Sequence, residues 1–351
     1  MTLLSAVYSA TIPLALAASA HAAAFELDTE GKVTFGFNDR LENHTYLEGE
    51  FEIEVGQTFD NGFGWALSYE VEADKLNWSE DEVDYEDAVL LSFTTPVGTL
   101  AYGDMNKKGA SELFYTDIDG MDIDVVRYKD GYPSLRWRGD TGGAFRYAVS
   151  ARNLMNDDDD EISVGIGYDT DRYEVGLAWD NGSAEQDEAI AATVAITAQH
   201  GGAETTYTVS HIEKTDANAS GLSVEVAFAF GLTVEASYGF NHAENVADGF
   251  GIDVAYENGP WATEASYAFD GEQDEYDIAV AYHLAGFAPK GTTLYAGYTY
   301  EEGSAEDIGY YAGAGFGIAD NTVLGVAYSE TTEGGDLAVQ PGWSTMLSVA
   351  F

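Results

Sequence analysis

Cysteine and basic residues are what this sequence lacks most. With no cysteine, the chain has no disulfide, no thiol chemistry and no cysteine-ligated metal site. Lys and Arg number 14 against 62 Asp and Glu, which gives a formal net charge of -48. Nucleic-acid binding depends on basic groups that neutralise phosphates, so this charge argues against a nucleic acid as partner.

Long apolar runs are also missing after the N-terminal leader. Residues 1–24 carry no charged side chain, and an apolar stretch leads to Ala20-His21-Ala22, a small-x-small pattern. Although the usual positive start is absent, residues 1–22 are predicted to be a secretory signal peptide cleaved near 22–24. The rest has no 18-residue apolar run, so it predicts no membrane-spanning helix, and an exported chain can instead cross a membrane as a closed β-barrel.

Aromatic residues show that this acidic chain folds. There are 23 Tyr, 17 Phe and 6 Trp, whereas disordered acidic chains have few aromatic residues. These rings must be buried in a core or face lipid.

Apolar and polar residues alternate along most of the chain. In residues 47–55, apolar residues and a glycine alternate with four glutamates: Glu48, Glu50, Glu52 and Glu54. Successive strand side chains point to opposite faces, so the segment predicts a strand with one apolar and one acidic face. Similar runs, each near the roughly 9–11 residues that a tilted membrane strand needs, recur around residues 65–71, 173–179, 222–230, 250–256 and 276–284.

Two kinds of connection separate these runs. Tight turns such as Asn258-Gly259-Pro260 alternate with longer acidic links such as residues 153–161 and 329–341. Short turns at one rim and long loops at the other are typical of outer-membrane barrels. The predicted fold is therefore all-β, a transmembrane antiparallel β-barrel domain over residues 25–351, with 20 strands as the best hairpin count and 16–20 as the range. A soluble β-sandwich or adhesin is the alternative, because its strands alternate too.

The strand number predicts a pore. Eight strands would be filled by their own side chains, whereas 16 to 20 enclose a wide lumen. We therefore expect a bacterial outer-membrane channel, surrounded by lipid, through which small hydrophilic solutes and ions diffuse passively. Its acidic lumen predicts a preference for cations. Two alternatives stay open: a non-conducting structural or adhesive barrel, and a barrel hydrolase, although the chain has neither Gly-x-Ser-x-Gly nor His-Glu-x-x-His.

One long break interrupts the alternation, over residues 104–133. A structureless stretch of that length is usually functional. We expect it to fold inward as a constriction loop, because it concentrates acidic residues within 13 positions: Glu112, Asp117, Asp119, Asp122 and Asp124.

Basic residues cluster directly after these acids. Six of the 14 lie within 26 positions: Arg127, Lys129, Arg136, Arg138, Arg146 and Arg152. Alternation places the last four on the polar face of two strands. We expect the five arginines to form a basic wall that faces the acidic loop, since rings of charge at the narrowest point set selectivity. Alternatively, these arginines only neutralise nearby lumen acids.

The loop sequence resembles that of a known family. The segment Gly103-Asp104-Met105 through Gly109-Ala110-Ser111-Glu112-Leu113-Phe114 to Tyr115-Thr116-Asp117-Ile118-Asp119 is similar to the general porins of Rhodobacter-type bacteria. The C-terminal alternation from Trp343 to Phe351 also resembles the C-terminal signal of outer-membrane barrels. The resemblance implies a homotrimer of 16-stranded channels whose third loop forms an eyelet. In that eyelet, Asp117, Asp119, Asp122 and Asp124 would face Arg136, Arg138, Arg146 and Arg152.

A second acidic cluster lies in the link that starts at residue 153. Its residues Asp157, Asp158, Asp159 and Asp160 are a candidate structural Ca²⁺ site, because Ca²⁺ takes six to eight oxygen ligands. A solvated acidic loop is the alternative reading, since the glycine-spaced ligand order of a dedicated calcium loop is absent. We expect no other cofactor.

Overall fold

A computed structural model of the chain describes most of the region predicted to form the barrel. The described residues are 26–40, 45–75, 84–103, 109–116, 118, 134–140, 143–152, 161–182, 188–214, 217–242, 247–269, 274–285, 288–301, 308–330 and 341–351. The predicted signal peptide lies outside the described residues, so its cleavage stays a prediction. No helix in the described part is long and apolar enough to span a membrane.

Twenty β-strands make up the described fold, in agreement with the best hairpin count. In chain order, β1 to β10 are Glu26–Asn38, Thr45–Thr58, Gly64–Lys75, Asp84–Thr95, Gly98–Gly103, Ser134–Asp140, Phe145–Arg152, Glu161–Asp169, Tyr173–Asp180 and Ala189–His200. In the same order, β11 to β20 are Ala203–Lys214, Asn218–Phe228, Leu232–Asn241, Gly249–Asn258, Trp261–Phe269, Asp274–Leu284, Thr292–Glu301, Ile308–Ala319, Thr322–Ser329 and Gly342–Ala350. The 16 strands implied by the family resemblance are therefore wrong for this chain.

The strands form one closed antiparallel barrel. Each strand pairs with its neighbours in the sequence, and β1 pairs with β20 to close the sheet. Closure satisfies the backbone groups that an open sheet would leave at its two edges. At the closing pair, Asn38 is fully buried and its Nδ2 donates to Ser344 Oγ at 2.9 Å.

Side chains divide into two faces, as the alternation predicted. Large apolar residues on what we call the apolar face remain exposed, including Leu177 at 48 % and Ile278 at 55 %. On the opposite face, called the polar face, small and hydrophilic residues are buried, including Ser163 and Thr193. These strands therefore bury small polar side chains and expose large apolar ones, which is the reverse of a water-soluble core.

Connections differ in length between the two ends of the barrel. Short turns at one end include Asn258-Gly259-Pro260, where Gly259 has a φ of +61° that favours glycine. The connections at the other end include the long break between β5 and β6. Within that break, residues Ser111–Leu113 form a single 3-10 turn in a segment for which no regular structure was predicted.

Candidate functional site

The predicted basic wall, called the arginine wall from here on, lies on the polar face of β6 and β7. Cross-strand register pairs Arg136 with Ser150, Arg138 with Ala148, and Ser134 with Arg152. Directly opposed residues in a sheet point to the same side, so four arginines share one face. Arg127, the fifth member of the predicted wall, lies outside the described residues.

Two of these arginines pair with carboxylates of the neighbouring strands. Arg146 Nη2 lies 3.2 Å from Asp169 Oδ2 and 3.6 Å from Glu174 Oε1. Arg152 Nη1 lies 3.5 Å from Glu161 Oε2, with the two side chains only 1 % and 10 % exposed. These contacts are the arrangement that the neutralisation alternative predicts.

The acidic half of the predicted constriction is outside what the structure describes. The backbone of Glu112 lies in the 3-10 turn, but its side chain is not described, and neither are Asp117, Asp119, Asp122 and Asp124. Their pairing with the arginines stays a prediction. The candidate Ca²⁺ ligands, residues 157–160, are also undescribed, and within the described residues no group of three or more His, Asp or Glu is placed to hold a metal.

Hydroxyl groups of the strands bind the described backbone of the loop, and the Ser111 side chain donates to the Asp180 carboxylate at 3.4 Å. Ala110 N donates to Ser150 Oγ at 2.8 Å, and Ser111 N donates to Ser163 Oγ at 2.6 Å. Further along the loop, the backbone of Thr116 meets a second pair of hydroxyls.

That second pair lies on β10 and β11. Thr116 N donates to Thr193 Oγ1 at 3.0 Å, and Ser210 Oγ donates to the Thr116 carbonyl at 2.6 Å. Thr193 and Ser210 are themselves 3.0 Å apart through their hydroxyls. The loop backbone therefore finds its hydrogen-bond partners on four separate strands.

Phe114 packs where the polar face carries glycines. A Cβ atom added to Gly165 would lie 2.1 Å from Phe114 Cδ2, and one added to Gly167 would lie 2.6 Å from Cδ1. One added to Gly176 would lie 1.8 Å from the Phe114 carbonyl oxygen. Since real Cβ atoms do not approach so closely, these three positions need glycine while the loop is in place.

Two small apolar clusters complete the contact. Ala110 and Phe114 pack with Ala148 of β7, and Ile118 packs with Ala178, Ala191, Ile212 and Ala219 of β9 to β12. Phe114 also lies under a charged group, because the Arg146 guanidinium carbon is 6.0 Å from its ring centroid.

The surface of the strands that receives the loop is called the loop seat. It is formed by Ser150, Ser163, Gly165, Gly167, Gly176, Thr193 and Ser210.

Carboxylates occupy other parts of the polar face. Glu52 of β2 is paired in register with Glu30 of β1 and with Glu70 of β3. In another part of the barrel, Glu235 of β13 is paired in register with Glu225 of β12 and with Asp253 of β14. Like charges directly opposite each other repel. In the first of these rows, Ser68 Oγ donates a hydrogen bond to Glu52 Oε1 at 2.9 Å.

Comparison with known proteins identifies the fold. The chain is similar to OccK10 of Pseudomonas aeruginosa, with 10% identity, a TM-score of 0.55, and coverage of 93% of this chain and 98% of that one. It is also similar to OccAB2 of Acinetobacter baumannii, with 7% identity, a TM-score of 0.54, and coverage of 93% and 97%. A multiple mutant of the Rhodopseudomonas blastica porin matches with 12% identity and a TM-score of 0.50 over 73% of this chain and 99% of that one.

This chain has a porin fold. Identities this low show the fold alone. No family model matches the sequence, and no curated protein matches it.

Within this porin fold, the loop seat is the part of the site that the sequence analysis missed. The alternation predicted a polar face, but no role was assigned to the small residues on it. One usable signal was the alternation of Gly165 and Gly167 with apolar residues on β8, followed by Gly176 on β9. Neighbouring glycines on one face of adjacent strands leave room for another segment of chain.

Proposed function

We propose that this porin-fold protein is a water-filled channel of the bacterial outer membrane for passive diffusion of small hydrophilic solutes and ions. The carrying observation is the closed 20-stranded barrel, with exposed apolar side chains on one face and polar side chains on the other. Lipid contact accounts for the exposed apolar face, and a barrel of this size encloses more space than its own side chains fill. The polar face then lines the pore.

Preference for cations is part of this proposal. A formal charge of -48 and paired rows such as Glu30, Glu52 and Glu70 make the pore lining strongly negative. Such a lining attracts cations and repels anions, and the aqueous pore focuses the field.

Residues 104–133 act in this proposal as the constriction loop, and the described contacts with the polar face support an inward position for it. Assembly as a homotrimer and membership in the Rhodobacter-type group rest on the sequence resemblance. Passive diffusion needs no catalytic group, and we propose no enzymatic activity.

Recording from the purified protein in planar lipid bilayers tests the channel. We expect stepwise, ohmic conductance and, in a KCl gradient, a reversal potential of the sign for cation selectivity. Absence of conductance from correctly folded protein would favour the structural or adhesive barrel instead. An anion-selective reversal potential would reject the cation preference while leaving the channel intact.

A further inference from the structure

We propose that the constriction loop is positioned by the uncharged loop seat and not by the arginine wall. In this proposal, which rests on the proposed channel function, the size limit of the pore and its ion selectivity are set by different residues. Ser150, Ser163, Thr193 and Ser210 act as positioning residues for the loop. The arginines tune the charge of the pore.

Backbone hydrogen bonds give the first argument. Four polar contacts between the backbone of residues 110–116 and the strands are made to neutral hydroxyls of the seat. The Ser111 hydroxyl in addition donates to the buried Asp180 carboxylate at 3.4 Å. Bonds to backbone groups hold the loop whatever its side-chain charges are. Neutral bonds are also unaffected by salt, whereas exposed ion pairs are screened.

Steric fit gives the second argument. Phe114 is only 6% exposed, and the glycines below it would collide with its ring or carbonyl group if they carried a Cβ. A seat built by three glycines on two adjacent strands is specific for one position of the loop. It also requires no charge.

Two of the wall's charges are engaged by carboxylates of the strands. Arg146 and Arg152 have strand carboxylates, Asp169, Glu174 and Glu161, within ion-pair distance. The one described contact between the wall and Phe114 is the 6.0 Å approach of Arg146 to the ring, at the outer limit of a cation–π interaction.

A single cysteine provides a direct readout of loop position. The natural chain contains none, and Ser111 is 1% exposed. In Ser111→Cys protein, N-ethylmaleimide, which is uncharged, should label the thiol slowly while the loop is seated. The rate should be the same in 0.1 M and 1 M KCl, since salt does not weaken neutral contacts.

The seat variant is Thr193→Val with Ser210→Ala, and it has a matched control on the same two strands. Thr197 and Thr206 form a hydroxyl pair at 3.1 Å on the same face, four residues away from the seat. We expect the seat variant to speed labelling of Ser111→Cys, raise single-channel conductance and admit sugars that the natural protein excludes. Thr197→Val with Thr206→Val should leave all three unchanged.

The arginine variant is Arg136→Ser with Arg138→Ser and Arg146→Ser. Arg152 is kept, because its removal would leave the buried Glu161 without its cation. We expect this variant to shift the reversal potential further towards cation selectivity while labelling of Ser111→Cys stays slow.

Two results would overturn the proposal. One is that Ser111→Cys is labelled at the same rate in the seat variant as in its control. The other is that the arginine variant speeds labelling of Ser111→Cys as much as the seat variant does. Heat-modifiable migration in gels confirms that each variant is folded. If the natural protein conducts no current, the proposed function fails, while the labelling rates still decide how the loop is held.

Discussion

At the scale of single residues, the face on which a side chain lies decides how much a charged substitution destabilises the barrel. Leu177 lies at the middle of β9 on the apolar face, and it is 48 % exposed although nothing in its chemistry favours water. Glu174, three residues earlier in the same strand, lies on the polar face, and its Oε1 is 3.6 Å from Arg146 Nη2. The two positions are therefore opposite in environment.

Leu177→Arg should destabilise the folded barrel by about 2–4 kcal/mol, the cost of an arginine at the lipid-facing middle of a membrane strand. Unfolding by urea in lipid vesicles, followed by tryptophan fluorescence, measures this free energy. Glu174→Gln is the control, and it should cost about 0–1 kcal/mol, as expected for a partly exposed ion pair. Equal costs at the two positions would contradict this assignment of the two faces.

At the scale of elements, the closing pair of β1 and β20 depends on side chains as well as on the backbone ladder. Asn38 Nδ2 donates to Ser344 Oγ at 2.9 Å and to the Pro341 carbonyl at 3.2 Å, and Thr34 Oγ1 donates to Ser348 Oγ at 3.2 Å. The aromatic end of the chain adds a ring contact, with Phe351 6.1 Å from Phe51. The hydrogen bonds join the first and last strands on the polar face, and the ring contact joins the end of the chain to β2.

Asn38→Ala should destabilise the barrel by about 1–3 kcal/mol, because it leaves buried partners without their hydrogen bonds. The same urea unfolding assay measures the effect. Asn258→Ala is the matched control: Asn258 is exposed and donates to the Phe230 carbonyl at 3.0 Å in a turn. A surface change of that kind should alter stability by no more than about 0.5 kcal/mol. A cost at Asn38 no larger than at Asn258 would contradict the role of this contact in closure.

At the scale of the whole molecule, the excess of negative charge should act over the length of the pore. Raising KCl from 0.1 M to 1 M shortens the screening length from about 10 Å to about 3 Å. The cation-to-anion permeability ratio, obtained from reversal potentials, should therefore fall towards one at high salt. Replacing Glu50, Glu52 and Glu54 by Gln should lower the ratio at 0.1 M KCl and have little effect at 1 M.

A control with the same number of charges separates pore lining from general charge. Asp60, Asp171 and Asp320 lie exposed in the short turns, away from the paired rows of the polar face. Their replacement by Asn should leave the permeability ratio nearly unchanged. A ratio that falls equally in both triple variants would mean that net charge, and not the lining of the pore, sets selectivity.

The sequence by itself determined the all-β class and the two faces of the barrel, and its best hairpin count of 20, within a range of 16–20, agrees with the strands found. Each strand carries its own alternation, as in residues 47–55, so its facing follows from local order without knowledge of its neighbours. Turns of glycine and asparagine, such as Asn258-Gly259, mark where each hairpin reverses. In the structure, β1 pairs with β20 and closes the sheet. The register of β6 and β7 places four arginines on one face, as the alternation predicted.

Only the tertiary structure decided what holds the loop and which carboxylates pair with the arginines. The hydroxyls that bind the backbone of Ala110 and Thr116 are 40, 77 and 94 residues away in sequence. Such partners meet only because the barrel brings β7 to β11 side by side beneath the loop. Serine, threonine and glycine also have no charge or bulk that would identify a binding surface in a sequence. The clustered arginines predicted a site, whereas the small residues make the contacts with the loop backbone.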